Sequence, residues 1–284
     1  MKKLLNLNAT YPYISTTPGK KAGDLTDAGD VAIFLLEHLA DKKTYSFDEF
    51  SRYWKLQIDE GYGSCNFQSV RGNECPPGLK AGYLNGGTRR TLQALQQYPD
   101  ATGDFRMSLA ADVNCLVSAT HFLPLFLLPE YAADEDKAAV AAKSTVFLSH
   151  KNRDPVKAAE FLARSLHRII FKSMPLEDAL NSAAATMNDE FISRKLKEAK
   201  EKVDEAANRE SPLSKEPFVD DLALTSLARL WDVGKSEPIK VGKASPTEGA
   251  LPGALYFVLK YKQSLRDALI ANANVGGDSG AYNL

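Results

Sequence analysis

The sequence predicts an all-α fold, a compact bundle of roughly ten helices. Apolar residues recur mainly at i, i+3 and i+4, the period of one helix face. Runs that alternate apolar and polar residues, as half-buried strands do, are nearly absent. Capping residues and Gly or Pro breakers punctuate the chain at helix-sized intervals, and no repeat of fixed length is visible.

Taken in order, residues 1–22 form an irregular segment rich in Asn, Pro, Thr, Gly and Lys, and residues 23–284 read as a single helical domain. The first helix opens at Thr26-Asp27, with Val31, Phe34, Leu35, Leu36 and Leu39 on its apolar face and Asp24, Thr26 or Asp27 as its cap. The second opens at Ser46, where Ser46 and Glu49 have capping-box spacing, and buries Phe50, Tyr53, Trp54 and Ile58. Residues 59–82 carry many Gly and Pro and read as loop. Thr88–Tyr98 is a short helix. Met107–Phe122, made largely of small and apolar residues, predicts a long buried helix.

Asp134–Leu148 is an alanine-rich helix, and Pro155 sits in the first turn of another that reaches about Phe171. The next runs from Met174-Pro175 to about Met187. Residues 190–210 alternate Lys with Glu or Asp at helical spacing and predict a solvated helix laced with weak ion pairs. Val219–Trp231 is amphipathic, 234–249 is a polar loop, and Ala250–Lys262 and Ser264–Ala273 are the last helices. Gly276-Gly277-Asp278-Ser279-Gly280 then breaks the pattern.

The composition excludes several functions. The 284 residues are 44% hydrophobic and 25% charged, enough to bury a sizeable core. Lys+Arg total 35 against 36 Asp+Glu, so a broad basic surface for nucleic acid is not expected. Met1-Lys2-Lys3-Leu4-Leu5 begins like a signal peptide, but its apolar stretch ends at once in asparagines with no small-residue cleavage site. The most apolar run, Phe122–Leu128, is too short to span a bilayer. Three cysteines, Cys65, Cys75 and Cys115, do not make a disulfide framework or a zinc site and read as reduced thiols. The expectation is a cytoplasmic protein with no nucleic-acid or membrane partner.

Two loops carry carboxylates in settings that suit chemistry. Gly23-Asp24-Leu25-Thr26-Asp27-Ala28-Gly29-Asp30 gathers three acids and a hydroxyl before an apolar helix. Such oxygen-rich clusters suit Mg2+ or Ca2+, and the same residues are also the commonest helix caps. In Asn274-Val275-Gly276-Gly277-Asp278-Ser279-Gly280 paired glycines let Asp278 and Ser279 project from a tight turn, or simply end a helix. His38, His121, His150 and His167 lack metal-ligand spacing. His38 and His167 read as ordinary helix residues. His150, between two helices in Leu148-Ser149-His150-Lys151-Asn152, reads as a structural hydrogen-bonding residue. Nucleotide-hydrolase and dinucleotide fingerprints are absent.

These segments resemble one family. The Gly276-Gly277-Asp278-Ser279 turn after Leu265–Asn272 is similar to the C-terminal signature of ADP-ribosylglycohydrolases, above all the branch related to jellyfish J-crystallins. Thr247-Glu248-Gly249-Ala250-Leu251-Pro252-Gly253-Ala254-Leu255 resembles the same branch. So do Gly82-Tyr83-Leu84-Asn85-Gly86-Gly87-Thr88-Arg89-Arg90-Thr91-Leu92 and the turn around His150. The likeness runs from about residue 23 to the end. It implies an all-α fold and hydrolysis of the glycosidic bond that links ADP-ribose to a protein side chain or small molecule, with Mg2+ as cofactor. The family's metal ligands are Thr-Asp-Asp at a helix start and Asp-x-Asp-Thr after a glycine pair. Thr26, Asp27 and Asp278 match these. Ala28, Gly280 and Ala281 stand where two carboxylates and a hydroxyl belong, and Asp30 and Ser279 are possible additional ligands. The resemblance thus implies a reduced site holding at most one Mg2+, on a chain shortened at both ends. A catalytically inactive, crystallin-like structural or binding protein is the alternative.

Overall fold

The structure is a computed structural model that describes residues 27–62, 84–230, 239–240 and 245–276. Twelve α-helices lie among these residues, joined by three 3-10 turns and one two-residue hairpin. The helices are α1 (Asp27–Lys42), α2 (Phe47–Tyr62), α3 (Gly86–Gln97), α4 (Gly103–Ser108), α5 (Pro129–Ala133) and α6 (Glu135–Val146). They continue with α7 (Arg153–Lys172), α8 (Leu176–Met187), α9 (Glu190–Ala207), α10 (Val219–Leu227), α11 (Thr247–Lys260) and α12 (Leu265–Val275). The all-α expectation holds. None of the described helices is long and apolar enough to cross a membrane.

The core forms around α6 and α7. α6 turns Ala138, Ala139, Ala141 and Ala142 inward, and these small side chains let α7 approach closely. α7 brings Phe161 and Leu162 to the same core. At the end of this pair, Glu135 receives Arg168 Nη2 at 2.5 Å and Lys172 Nζ at 2.7 Å. Burial pushes the Glu135 carboxyl up, but Arg168 and Lys172 outweigh it and hold the group down at about 2. α1 and α2 pack together at one side, where Phe50 and Trp54 are fully buried. His38 sits between Phe50 and Tyr53, its ring centroid 5.5 and 5.4 Å from theirs. His167 hydrogen-bonds the Ala132 carbonyl at 3.0 Å. Both are helix residues, as expected from their spacing.

Four local expectations are corrected. Met107–Phe122 is not one helix: α4 ends at Ser108 and a 3-10 turn covers Leu116–Thr120. The reason is that the backbone between them bonds to distant partners. Ala111 N–H donates to Ser149 O at 3.3 Å and to Thr91 Oγ1 at 3.0 Å, and Leu116 N–H donates to Ser245 O at 2.8 Å. These tertiary bonds satisfy donors that a helix would have used internally. The charged stretch 190–210 is helical but not merely solvated. α9 buries Ile192, Lys195, Leu196 and Ala199 and packs against α8 and α11. A stripe of four buried positions is enough to dock a helix whose other faces are charged.

The third correction concerns α10, which stops at Leu227 rather than reaching Trp231. Arg229–Leu230 instead pairs antiparallel with Ile239–Lys240, Arg229 opposite Lys240 and Leu230 opposite Ile239. Trp231 lies outside the described residues. The fourth concerns α2, which continues to Tyr62 and so takes in four residues read as loop.

α11 explains how the last third of the chain is organised. Almost every residue from Thr247 to Phe257 is buried, so it is a central helix with neighbours on all sides. Pro252 lies inside it, a position that costs one backbone hydrogen bond. A Cβ on Gly249 would sit 3.1 Å from Ala228 Cα, so the glycine permits close approach to the end of α10.

Candidate functional site

Asp27 is the first residue of α1. Its Oδ2 accepts two hydrogen bonds from Asn85, one from the backbone N–H and one from Nδ2, each 2.9 Å long. The other end of the same amide caps α3: Asn85 Oδ1 accepts from Thr88 N–H at 2.9 Å. One asparagine therefore clips together the N-termini of two helices and fixes the orientation of the Asp27 carboxylate. Asp30 follows three residues later in the same half-buried turn, on the same side of the helix.

The next contact explains the glycines after Asn85. A Cβ at residue 87 would lie 2.3 Å from His150 Nε2, so the imidazole stands directly on the Gly87 backbone. His150 is fully buried, and its Nδ1 lies 2.8 Å from Ser149 Oγ. Nε2 has no hydrogen-bond partner among the described residues. Burial first, and the nearby His121 second, push the His150 imidazole down to about 3. Burial likewise lowers His121 to about 4, partly offset by the Thr145 backbone. Both are held well below the ordinary imidazole value, which favours the neutral form at pH 7. Thr91 Oγ1 locks the same junction, lying 2.9 Å from the carbonyls of both Gly87 and Ser149.

Two more asparagines extend the arrangement. Asn152 Oδ1 caps α7 at Asp154 N–H, 3.1 Å away, while its Nδ2 donates to Asp112 at 2.9 Å. Asn114 Nδ2 donates to Asp154 Oδ2 at 3.1 Å and to Glu248 Oε2 at 2.7 Å, and its Oδ1 accepts from Thr247 N–H at 3.0 Å. Burial, and the Asp154 charge beside it, raise the Glu248 carboxyl. The N-termini of α1, α3, α7 and α11 are thus strung along one polar seam held by Asn85, Asn152 and Asn114. Helix N-termini present unpaired N–H groups and a positive dipole end. A cleft of about 450 Å³ opens on the seam at the start of α7, lined by Lys151, Arg153 and Lys157 with Asp112 and Asn152.

Of the expected ligands, Asp27 and Asp30 share this turn, whereas Thr26, Asp278 and Ser279 lie outside the described residues. Gly276, at φ +70°, ends α12 just before Asp278. Two carboxylates on one turn suit a hard cation such as Mg2+ in kind, since it prefers oxygen donors. Among the described residues no three of His, Cys, Asp or Glu gather closely enough to hold a metal ion. Cys115 is buried and free of any disulfide, while Cys65 and Cys75 lie outside the described residues.

Asn85, Asn114 and Asn152 are the residues that sequence reasoning did not single out. Asn85 was legible, because an asparagine three residues before Thr88 has N-cap spacing. Asn114 was not, because its partners lie 40 and 134 residues away along the chain.

A family model described as ADP-ribosylglycohydrolase matches residues 3–282. That is about twenty residues further toward the N-terminus than the motifs themselves reach. No curated protein matches the chain. A match spanning nearly every residue, on a helical fold whose motif segments Asp27, Asn85–Thr88 and His150 meet in space, places this chain in the ADP-ribosylglycohydrolase family.

Proposed function

We propose that the protein hydrolyses a glycosidic bond of an ADP-ribosylated substrate, using a reduced metal site that takes at most one Mg2+. The ion would be held by Thr26, Asp27 and Asp278, with Asp30 and Ser279 as further oxygen donors. The observation that carries this reading is the Asp27–Asn85 clip, in a chain matched to the family over residues 3–282. A carboxylate fixed by two hydrogen bonds at a helix start is pre-oriented, as a ligand or a substrate-positioning group must be.

The residues of the chain divide the work. Asn85 keeps one Asp27 oxygen occupied and so sets the direction of the carboxylate. The helix N-termini of the seam turn positive dipole ends toward a ligand such as the diphosphate of ADP-ribose, while Asp27, Asp30, Asp112, Asp154 and Glu248 on the same seam oppose it, so a bound cation would be needed to offset them. In the α7 cleft Lys157 is paired with Asp189 at 2.5 Å and Lys151 with the Ser108 carbonyl, and Asp112 and Asp154 share the lining, which leaves Arg153 as the cation nearest to hand for the diphosphate. When bound, Mg2+ supplies polarisation of an oxygen and a more acidic water.

The test is release of free ADP-ribose from an ADP-ribosylated protein, with Mg2+ and with a chelator. Mg2+-dependent release that falls in Asp27→Asn and Asn85→Ala supports the proposal. Release that is equal with chelator removes the metal from it.

A second reading is favoured by Ala28, which stands half-buried on the first turn of α1 where the family has a carboxylate. On that reading the chain binds an ADP-ribose-like ligand without cleaving it, as a structural or binding protein similar to the J-crystallin branch. Saturable ADP-ribose binding with no release would select it.

A further inference from the structure

The end of α1 away from Asp27 carries a second concavity. α1 is 16 residues long, so its two ends are about 24 Å apart. Beyond its C-terminus a cleft of about 670 Å³ opens, within the volume range of small-molecule sites. Three aromatic residues from separate segments line it: Tyr45 from the α1–α2 connection, Phe47 from the start of α2, whose ring already carries Arg106 5.8 Å from its centroid, and Tyr131 from α5. Their placement is fixed. The Tyr45 hydroxyl lies 2.9 Å from Ser144 Oγ, and its ring meets Tyr131 edge-on with centroids 6.4 Å apart.

The rim is acidic, and its charges are not equally occupied. Asp134 caps α6 by accepting from Lys137 N–H at 3.0 Å, and Asp136 holds Arg164 at 2.7 Å. Lys137, the cation of the lining, stands 4.0 Å from Asp134. Glu130 is exposed and makes no ion pair or hydrogen bond among the described residues. Val140, 62% exposed, adds an apolar surface at the mouth.

An anionic ligand would face three carboxylates here. A neutral apolar ligand would gain from the aromatic walls but nothing from Glu130, which water solvates. A small, strongly hydrated ion would gain little from aromatic walls, and a divalent ion would need more oxygens than Glu130 offers. A cation with an apolar shell satisfies both halves of the lining, because aromatic rings attract such groups through their negative faces and a carboxylate completes the charge.

We propose that this cleft binds a small molecule bearing an alkylated ammonium group, seated against Tyr45 and Tyr131 beside Phe47, with Glu130 as its counter-charge. The site is independent of the Asp27 seam, so it stands whether or not the chain cleaves ADP-ribose.

The test is calorimetric titration of the full chain with choline at matched ionic strength. The controls are its uncharged isostere 3,3-dimethylbutan-1-ol and a trimethyl-lysine peptide. Saturable binding of choline, about tenfold tighter than the isostere, is expected for a charge held over aromatic faces. Glu130→Gln should weaken choline by about fivefold, and Val140→Lys, which sets a like charge at the mouth, by more than about tenfold. Both positions are exposed, and unchanged circular dichroism would show that the variants fold. Tighter binding of the peptide would keep the chemistry and make the source a modified protein. Equal binding of the isostere, no saturable binding of choline or peptide, or binding that ignores both substitutions would overturn the proposal.

Discussion

At the scale of single residues, the candidate site depends on positions where one atom decides the packing. Gly87 is the clearest. Its replacement by Ala would drive a Cβ to 2.3 Å from the His150 ring, inside a fully buried junction. Neither the ring nor the backbone can move without breaking the Ser149 and Thr91 hydrogen bonds. Gly87→Ala is therefore expected to destabilise the fold by about 2–3 kcal/mol, readable as a lower denaturant midpoint. A neutral result would mean that the histidine is not wedged there. The same residues set the acid limb of stability. His150 and His121 are held near 3 and 4 by burial, below their ordinary value, and would be protonated earlier once unfolded. The unfolded chain then binds more protons as pH falls from about 6.5 toward 4, so stability is present above about 6.5 and lost through that window. Each histidine contributes a slope of about 1.4 kcal/mol per pH unit there. Glu248 acts in the opposite sense, since its raised carboxyl favours folding as pH falls. Glu135, held at about 2, adds a further loss only below the ordinary carboxylate range. Denaturation at pH 7 and pH 5 measures the balance, and a flat profile would contradict the buried neutral histidines.

At the scale of elements, the sequence was most legible where one helix face carries the pattern. α1, α7, α8 and α12 lie within a few residues of their expected bounds because their caps and apolar spacing agree. It was least legible where backbone groups bond to distant partners. Nothing in Ala110-Ala111-Asp112-Val113-Asn114 announces that Ala111 bridges to His150 or that Asn114 ties α7 to α11. Helical period cannot encode contacts so far apart along the chain. α9 shows a different failure: counting its charges hid a stripe of four buried residues. That stripe makes a direct prediction. Leu196→Ala, at 5% exposure, is expected to cost about 2–5 kcal/mol, whereas Lys197→Ala, on the exposed face, should stay within about 0.5 kcal/mol. Similar small effects from both substitutions would restore the picture of a solvated helix.

At the scale of the whole molecule, the fold gathers four helix N-termini along one seam and leaves its acidic aromatic cleft at the far end of α1. The family assignment and the helical architecture agree, and both were open to reading from motif order and period. The completeness of the metal site was open only as a set of ligand types. Thr26, Asp27 and Asp278 are the expected ligands and Ala28 stands at a carboxylate position, but Thr26, Asp278 and Ser279 lie outside the described residues. Mg2+ demands near-octahedral oxygen coordination, and uncharged water does little to offset repulsion between two close divalent ions. The chain is therefore expected to bind one ion weakly, not two tightly. Calorimetric titration with Mg2+, alone and with ADP-ribose, tests this most directly. The expected result is a single weak binding event, strengthened by ADP-ribose and lost in Asp27→Ala and Asp278→Ala. Two tightly bound ions, or one whose affinity ignores both substitutions, would contradict it.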